Sequence, residues 1–200
     1  MKKMYLATLI IMAAALIAMP SMAQANLLTN PGFETTTGWD RWGETEYSTA
    51  QAHSGLKSGH AWTWTFGDGK FEQVVSIASG VKYRASGWLY ADKMGNGGGK
   101  AWIQVDWLKA DGTPTGSSVT SAYLTSPNNK WDPYDTGWVI SPSDAAKAKV
   151  TYIVKADAGG YDNSCYFDDV NFEAVPEPAS LLLLGTGLLG LFGISRRKRS

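Results

Sequence analysis

Ser58-Gly-His-Ala-Trp-Thr-Trp-Thr-Phe66 alternates large rings at His60, Trp62, Trp64 and Phe66 with small residues at Gly59, Ala61, Thr63 and Thr65. A period of two marks a strand, because successive side chains leave a pleated backbone on opposite faces. Gly67-Asp68-Gly69 ends the run, and a second alternating stretch follows. There Phe71, Gln73, Val75 and Ile77 share one face, and Glu72, Val74 and Ser76 the other. Two such runs on either side of a glycine-rich turn read as consecutive strands.

The same reading extends outward. Residues 82–90, 101–108, 147–155 and 166–172 are strand-like as well. Turn chemistry separates them: Ser79-Gly80, the glycine-rich stretch 95–99, Asp111-Gly112, Ser126-Pro127-Asn128-Asn129 and Gly159-Gly160. No ten-residue amphipathic helix is found between 26 and 175. Many short strands joined by glycine-rich turns predict an all-β fold, an antiparallel β-sandwich of the jelly-roll kind.

The two ends fall outside this pattern. Met1-Lys2-Lys3 is followed by an apolar stretch over 4–19 and by Ala23-Gln24-Ala25. That order predicts a signal peptide over 1–25, cut between Ala25 and Asn26. At the other end Val175-Pro-Glu-Pro-Ala-Ser180 precedes an apolar run over 181–194 and then Arg196-Arg197-Lys198-Arg199. As a helix the apolar run covers roughly 21 Å, against about 30 Å of bilayer hydrocarbon. A single hydrophobic helix over 179–195 is therefore expected to enter a membrane only transiently. The basic tail, 196–199, keeps its end cytoplasmic and leaves Pro176, Glu177 and Pro178 on the far side. Proline cannot continue a helix, so the motif stays extended and accessible. The order of motif, short apolar segment and basic stop over 176–200 resembles the PEP-CTERM sorting signal of Gram-negative bacteria. The resemblance implies the export machinery and an exosortase-type sorting enzyme as partners. It also implies a final place at the cell surface or in the extracellular matrix.

Removing both ends changes the charge. The chain holds 18 basic and 18 acidic residues. Six basic residues (Lys2, Lys3, Arg196, Arg197, Lys198 and Arg199) and one acidic residue, Glu177, lie in the terminal segments. Residues 26–175 thus carry 12 basic against 17 acidic side chains, a net charge of −5. A domain of that sign is a poor match for nucleic acid or an anionic membrane surface. It suits neutral sugars or divalent cations. Cys165 is the one cysteine, so no disulfide within the chain is possible. A buried small hydrophobe is the expected role, with an intermolecular bridge as the alternative.

A second resemblance covers most of 26–175. Its markers are Asn26-Leu-Leu-Thr-Asn-Pro-Gly-Phe-Glu34 with Gly38-Trp39, His53-Ser54-Gly55, Gln73-Val-Val-Ser-Ile77 with Gly80 and Tyr83, Asp111-Gly112-Thr113, and Tyr166-Phe-Asp-Asp-Val-Asn-Phe172. In this order they resemble carbohydrate-binding modules of the family 4/9/22 type, which are galactose-binding-like jelly rolls. The resemblance implies a structural calcium ion held by Glu34 and Asp168, with carbonyls near Gly32 and the Ser54-Gly55 turn. Calcium takes six to eight hard oxygens, a demand that carboxylates and carbonyls meet. Strand parity places Asp168 with Val170 and Phe172, facing inward, and Asp169 facing out.

Nine tryptophans lie between Trp39 and Trp138. An indole face can stack on the apolar face of a sugar while neighbouring polar groups bond its hydroxyls. By parity Tyr83, Ala85 and Leu89 face the core, and Arg84, Ser86, Trp88 and Tyr90 face out. Ile103 and Val105 face in, and Trp102, Gln104 and Asp106 face out. Trp62, Trp64, Trp88, Tyr90, Trp102 and Gln104 are therefore expected to share one concave sheet as a sugar-binding face. Trp88 and Trp102 are its leading members. Trp39, Trp131 and Trp138 are assigned to structure. The alternative is that most of the tryptophans fill the core of a sandwich poor in Ile and Leu.

An enzyme is not expected. There is no His-Glu-x-x-His and no Gly-x-Ser-x-Gly, and Gly95-Asn-Gly-Gly-Gly-Lys100 lacks the residues of a phosphate loop. Glu44 and Glu46 could share a strand face about 7 Å apart, a spacing a glycosidase pair can use. Their polar surroundings favour solvated side chains. The expectation is a non-enzymatic exported protein that binds polysaccharide, such as an exopolysaccharide. A purely structural matrix or adhesion protein is the alternative, and a glycan-active enzyme is a more distant one.

Overall fold

Small and apolar residues on the inner faces of the alternating runs close upon one another across two antiparallel sheets. The computed structural model describes residues 25–64, 67–158 and 162–175, which form one unit, Ala25–Val175. The signal peptide up to residue 24, the Pro176-Glu177-Pro178 motif and the hydrophobic helix expected over 179–195 lie outside the described residues. Ala25 and Asn26 lie inside them. Asn26 is tied to the last strand: its Nδ2 donates to the Val170 carbonyl (2.8 Å), and Phe172 N donates to its Oδ1 (3.0 Å).

Sheet A runs in the order β1 (Asp40–Trp42), β4 (Gly67–Ser76), β10 (Lys147–Ala156), β6 (Lys100–Leu108), β7 (Pro114–Thr120). Sheet B runs β2 (Glu44–Ser48), β3 (Ser58–Thr63), β11 (Asn163–Ala174), β5 (Lys82–Lys93), β8 (Asp132–Asp135), with β9 (Val139–Ile140) also paired to β5. The architecture is the antiparallel sandwich that the turn spacing predicts. Two connections cross from one sheet to the other at the same edge. The chain passes from β1 to β2 at Gly43, and from β3 towards β4 beyond Trp64. Gly43 has φ +64°, and a Cβ there would lie 1.9 Å from the Asp68 carbonyl oxygen, so only glycine fits this crossing.

The core between the sheets is largely aromatic. Phe33 stacks on Trp39 (5.0 Å) and meets Phe71 edge-on (5.1 Å), while Tyr152 meets both Trp39 and Phe167 at 5.7 Å. Rings do here what Ile and Leu do in most sandwiches, through their large buried area. Tyr152 is wholly buried, its hydroxyl donates to the Ser86 carbonyl (2.7 Å), and burial pushes its phenol well above its ordinary pKa. Cys165 is buried in the same core, and burial raises its thiol well above the ordinary value.

One parity expectation fails. Asp168 lies opposite Trp88, and Asn171 lies opposite Ser86, so β11 contains one residue more than β5 between these pairs. Asp169 sits in this bulge with φ +45°. The extra residue shifts the alternation. Asp168 therefore shares the outer face of sheet B with Trp88, while Val170 and Phe172 face the core. Asp168 is nonetheless fully buried, because the turn at His53-Ser54 folds over it. Nor does Asp169 point away: its carboxylate accepts from Ser54 Oγ (2.6 Å) and bonds His53 Nδ1 (2.6 Å), gripping the same turn as Asp168.

Candidate functional site

Strand order sets β3, β11 and β5 side by side, and their outward positions assemble a line of rings on sheet B. Tyr166 lies opposite His60 on one side and Tyr90 on the other. Neighbouring strands are about 4.8 Å apart, so rings that stand up from paired positions stack on each other. His60 and Tyr166 do so, 4.1 Å apart and 7° from parallel. The line continues from His60 to Trp62 (4.8 Å), from Tyr166 to Tyr90 (5.9 Å) and from Tyr90 to Trp131 (5.7 Å). It ends with His53, 5.7 Å from Trp131 and stacked at 4.1 Å on Trp88.

Polar groups fix this line in place. His60 Nδ1 bonds Glu46 Oε1 (3.0 Å), and its Nε2 bonds Ser164 Oγ (2.9 Å), so both ring nitrogens are engaged. Glu46 and Glu44 lie on β2, opposite His60 and Trp62. Both are exposed.

Stacking against its neighbours uses up most of the ring area. Trp88 has its face covered by His53, and Tyr166 is only 8% exposed. Trp64, just past the end of β3, is 58% exposed. Trp62 and Trp64 together wall a cleft of about 210 Å³ on this face, with His60, Tyr166, Ser164, Asp92, Lys93 and Asp162 around it. Lys93 is ion-paired with Asp162.

Trp102 and Gln104 do not belong to this surface. Their strand, β6, pairs with β10 and β7 in sheet A, so their outward parity carries them to the opposite side of the molecule. Trp102 is 8% exposed, meets Tyr123 edge-on at 5.4 Å, and donates from Nε1 to Gln104 Oε1 (3.1 Å). Gln104 in turn donates to Asp106 Oδ1 (2.8 Å). Around them Lys149 reaches Asp106 (3.5 Å) and Glu72 (3.7 Å), which closes that face with ion pairs. Trp131 departs from its structural assignment in the other direction, since it joins the line of rings on sheet B. Trp138 is exposed beneath Arg84, whose guanidinium carbon is 4.9 Å from the ring centroid. Trp39 is buried in the core. His53 and Trp131 lie on connecting loops and carry no period-two signal; the marker His53-Ser54-Gly55 is the one trace of them in the sequence.

The carboxylates of Glu34 and Asp168 flank Gly32. A Cβ built there would lie 3.8 Å from Asp168 Oδ1 and 3.8 Å from Glu34 Cγ. Asp168 Oδ2 accepts from His53 N (2.7 Å) and Ser54 N (3.1 Å), and Oδ1 accepts from Asp169 N (2.7 Å). Glu34 Oε1 accepts from Leu56 N (2.8 Å) and Lys57 N (3.1 Å). Burial pushes the Asp168 carboxyl above its ordinary pKa, against the pull of its three backbone donors. Among the described residues no group of three or more His, Cys, Asp or Glu side chains is placed to hold a metal. An ion between Glu34 and Asp168 would take its remaining oxygens from carbonyls and water, which is calcium's habit.

Over 75–79% of its length the chain shares its fold with carbohydrate-binding modules of solved structure. A family 61 carbohydrate-binding module in complex with β-1,4-galactotriose is 21% identical with a TM-score of 0.55, covering 75% of this chain and 99% of that one. The xylan-binding family 22 module of Paenibacillus barcinonensis is 19% identical with a TM-score of 0.57, covering 79% and 99%. The fold also occurs inside enzymes: an arabinose-bound α-L-arabinofuranosidase matches at 15% identity and a TM-score of 0.54, over 75% of this chain and 26% of that one. At these identities the likeness is one of fold. No curated protein matches the chain in sequence. Residues 174–198 match the PEP-CTERM protein-sorting motif. The chain is thus an exported protein that carries a PEP-CTERM sorting motif behind a jelly roll of the carbohydrate-binding-module type.

Proposed function

We propose that this protein is a non-enzymatic polysaccharide-binding protein, handed by an exosortase-type enzyme to the cell surface or extracellular matrix. The observation that carries the binding role is the Trp62–Trp64 cleft on the outer face of sheet B. There an indole 58% exposed stands beside polar groups that are already fixed in place. A sugar ring can stack on Trp64 while Ser164 and Asp92 bond its hydroxyls. Affinity electrophoresis of residues 26–175, whose core is drawn from their own side chains, tests this. Migration should be retarded by at least one neutral polysaccharide, and Trp64→Ala should weaken retention about tenfold. Equal retention of the variant would remove Trp64 from the site. The covered faces of Trp88 and Tyr166 favour the rival reading, a structural matrix protein. No retardation in any polysaccharide gel would decide for it.

The same reading includes a structural calcium ion held by Glu34 and Asp168. A buried carboxylate whose bonds come only from backbone N–H groups gains from a hard cation beside it. The ion would pin the 53–57 turn to the last strand and perform no chemistry. Excess EDTA should lower the melting temperature of residues 26–175, with recovery on adding calcium. An unchanged midpoint would dispose of the ion.

A further inference from the structure

The β1–β2 and β3–β4 crossings between the sheets lie beside a second cleft. It holds about 370 Å³ between Trp42, Glu44, Trp62, Trp64, Asp68 and Lys70, within the range of small-molecule sites, about 300–1,000 Å³. Trp42 is 56% exposed, and among the described residues no ring stacks on it. Trp62 and Trp64 wall both clefts, so the two lie side by side with these indoles between them. Gly43 and Gly67, which have no side chain to fill it, are among the residues that line this second cleft.

We propose that the Trp42 cleft is a second subsite, which takes further units of the glycan held at Trp62–Trp64 and selects neutral chains over uronates. The proposal rests on the glycan-binding reading of Trp62 and Trp64. A single chain would bend round the edge, stacking on Trp64 in one cleft and on Trp42 in the other. The charges decide which chain. Glu44 and Asp68 face the second cleft, and Asp92 and Asp162 the first. Lys70 is shared between Asp68 (3.4 Å) and Glu72 (3.6 Å), and Lys93 is paired with Asp162. A neutral sugar offers hydroxyl donors to these carboxylates as charge-assisted bonds. A uronate brings a like charge, and to be paired it must break an ion pair already made.

Affinity gels containing xylan, galactan, β-glucan, polygalacturonate or alginate test the idea on residues 26–175, with Trp42→Ala, Trp64→Ala and Trp42→Tyr as variants. Trp42 is exposed, so its loss leaves the fold intact, which an unchanged melting temperature verifies. The expected result is retardation by a neutral gel and not by the uronate gels. Trp42→Ala should weaken retention about fivefold to tenfold, and Trp42→Tyr should restore most of it. With oligosaccharides of the retained glycan, affinity should rise with length, and Trp42→Ala should abolish the gain of the longer ones. If Trp64→Ala weakens binding and Trp42→Ala does not, the second subsite is wrong and the first cleft stands. Retention by uronate equal to that by neutral glycan overturns the selectivity. If no gel retards the wild type, both the glycan-binding reading and this extension of it fall together.

Discussion

Phe33→Ala is expected to remove about 3–5 kcal/mol of folding stability, a large share of the roughly 5–15 kcal/mol a domain possesses. At roughly 2–4 °C per kcal/mol for a chain of this size, the melting temperature should fall by roughly 6–20 °C. Phe33 is fully buried and touches Trp39, Phe71 and Tyr47, with centroids 5.0, 5.1 and 6.4 Å away. Its backbone has φ +54° and is held by a bond from its N–H to the Asn30 carbonyl (3.1 Å). The ring lies flat against Gly59, where a Cβ would come within 2.7 Å of Phe33 Cε1. Gly59 adjoins His60 on β3, so the strand carrying His60 and Trp62 is seated on this ring. If the Trp62–Trp64 cleft binds glycan, the variant should lose that retention as well as stability. Leu56→Ala, at a side chain 76% exposed, is the control and should stay within about 0.5 kcal/mol. A Phe33→Ala loss no larger than the control would mean that the ring is not a keystone of the core.

The role of Phe33 illustrates how far the sequence reaches. The run Asn30-Pro-Gly-Phe-Glu34 marks a fold by resemblance, and the alternation in β3, β5 and β6 sets inward against outward residues for each strand taken alone. Side-chain parity is a local property of the pleat, so it can be read from ten residues. Sheet membership is not local. Trp102 faces outward as its alternation requires, yet its strand pairs with β10 and not with β11, and no pattern within 101–108 records that choice. Nor does alternation reveal what covers an outward ring. Trp88 is placed correctly on its strand, but its open face is taken by His53, which arrives from a loop 35 residues earlier in the chain. Trp131 reaches the surface the same way. The loops are aperiodic, and their destinations are fixed by hydrogen bonds to distant residues.

Asp168→Ala is expected to cost about 3 kcal/mol or more, since it strips three backbone N–H groups of a charged acceptor. The reason lies in the bulge that defeats the parity argument. Had the alternation run unbroken through Asp169, Asp168 would share the core face of Val170 and Phe172. With the bulge, Asp168 and Asp169 together hold the His53-Ser54 turn against the outer face of sheet B, through His53 N, Ser54 N, His53 Nδ1 and Ser54 Oγ. Releasing the turn also removes His53 from Trp88. The substitution should therefore red-shift tryptophan emission and increase its quenching by iodide in a protein that remains folded. Asp168→Asn, which keeps one acceptor oxygen and the side-chain volume, should show a smaller change in both. The variant also separates two sources of the turn's stability. If calcium bridges Glu34 and Asp168, EDTA should lower the melting temperature of the wild type and leave that of Asp168→Ala unmoved. Should the variant keep the full response to EDTA, any ion lies elsewhere, and the turn is held by hydrogen bonds alone. A loss well under 1 kcal/mol with unchanged emission would show that the turn stays in place without its carboxylate.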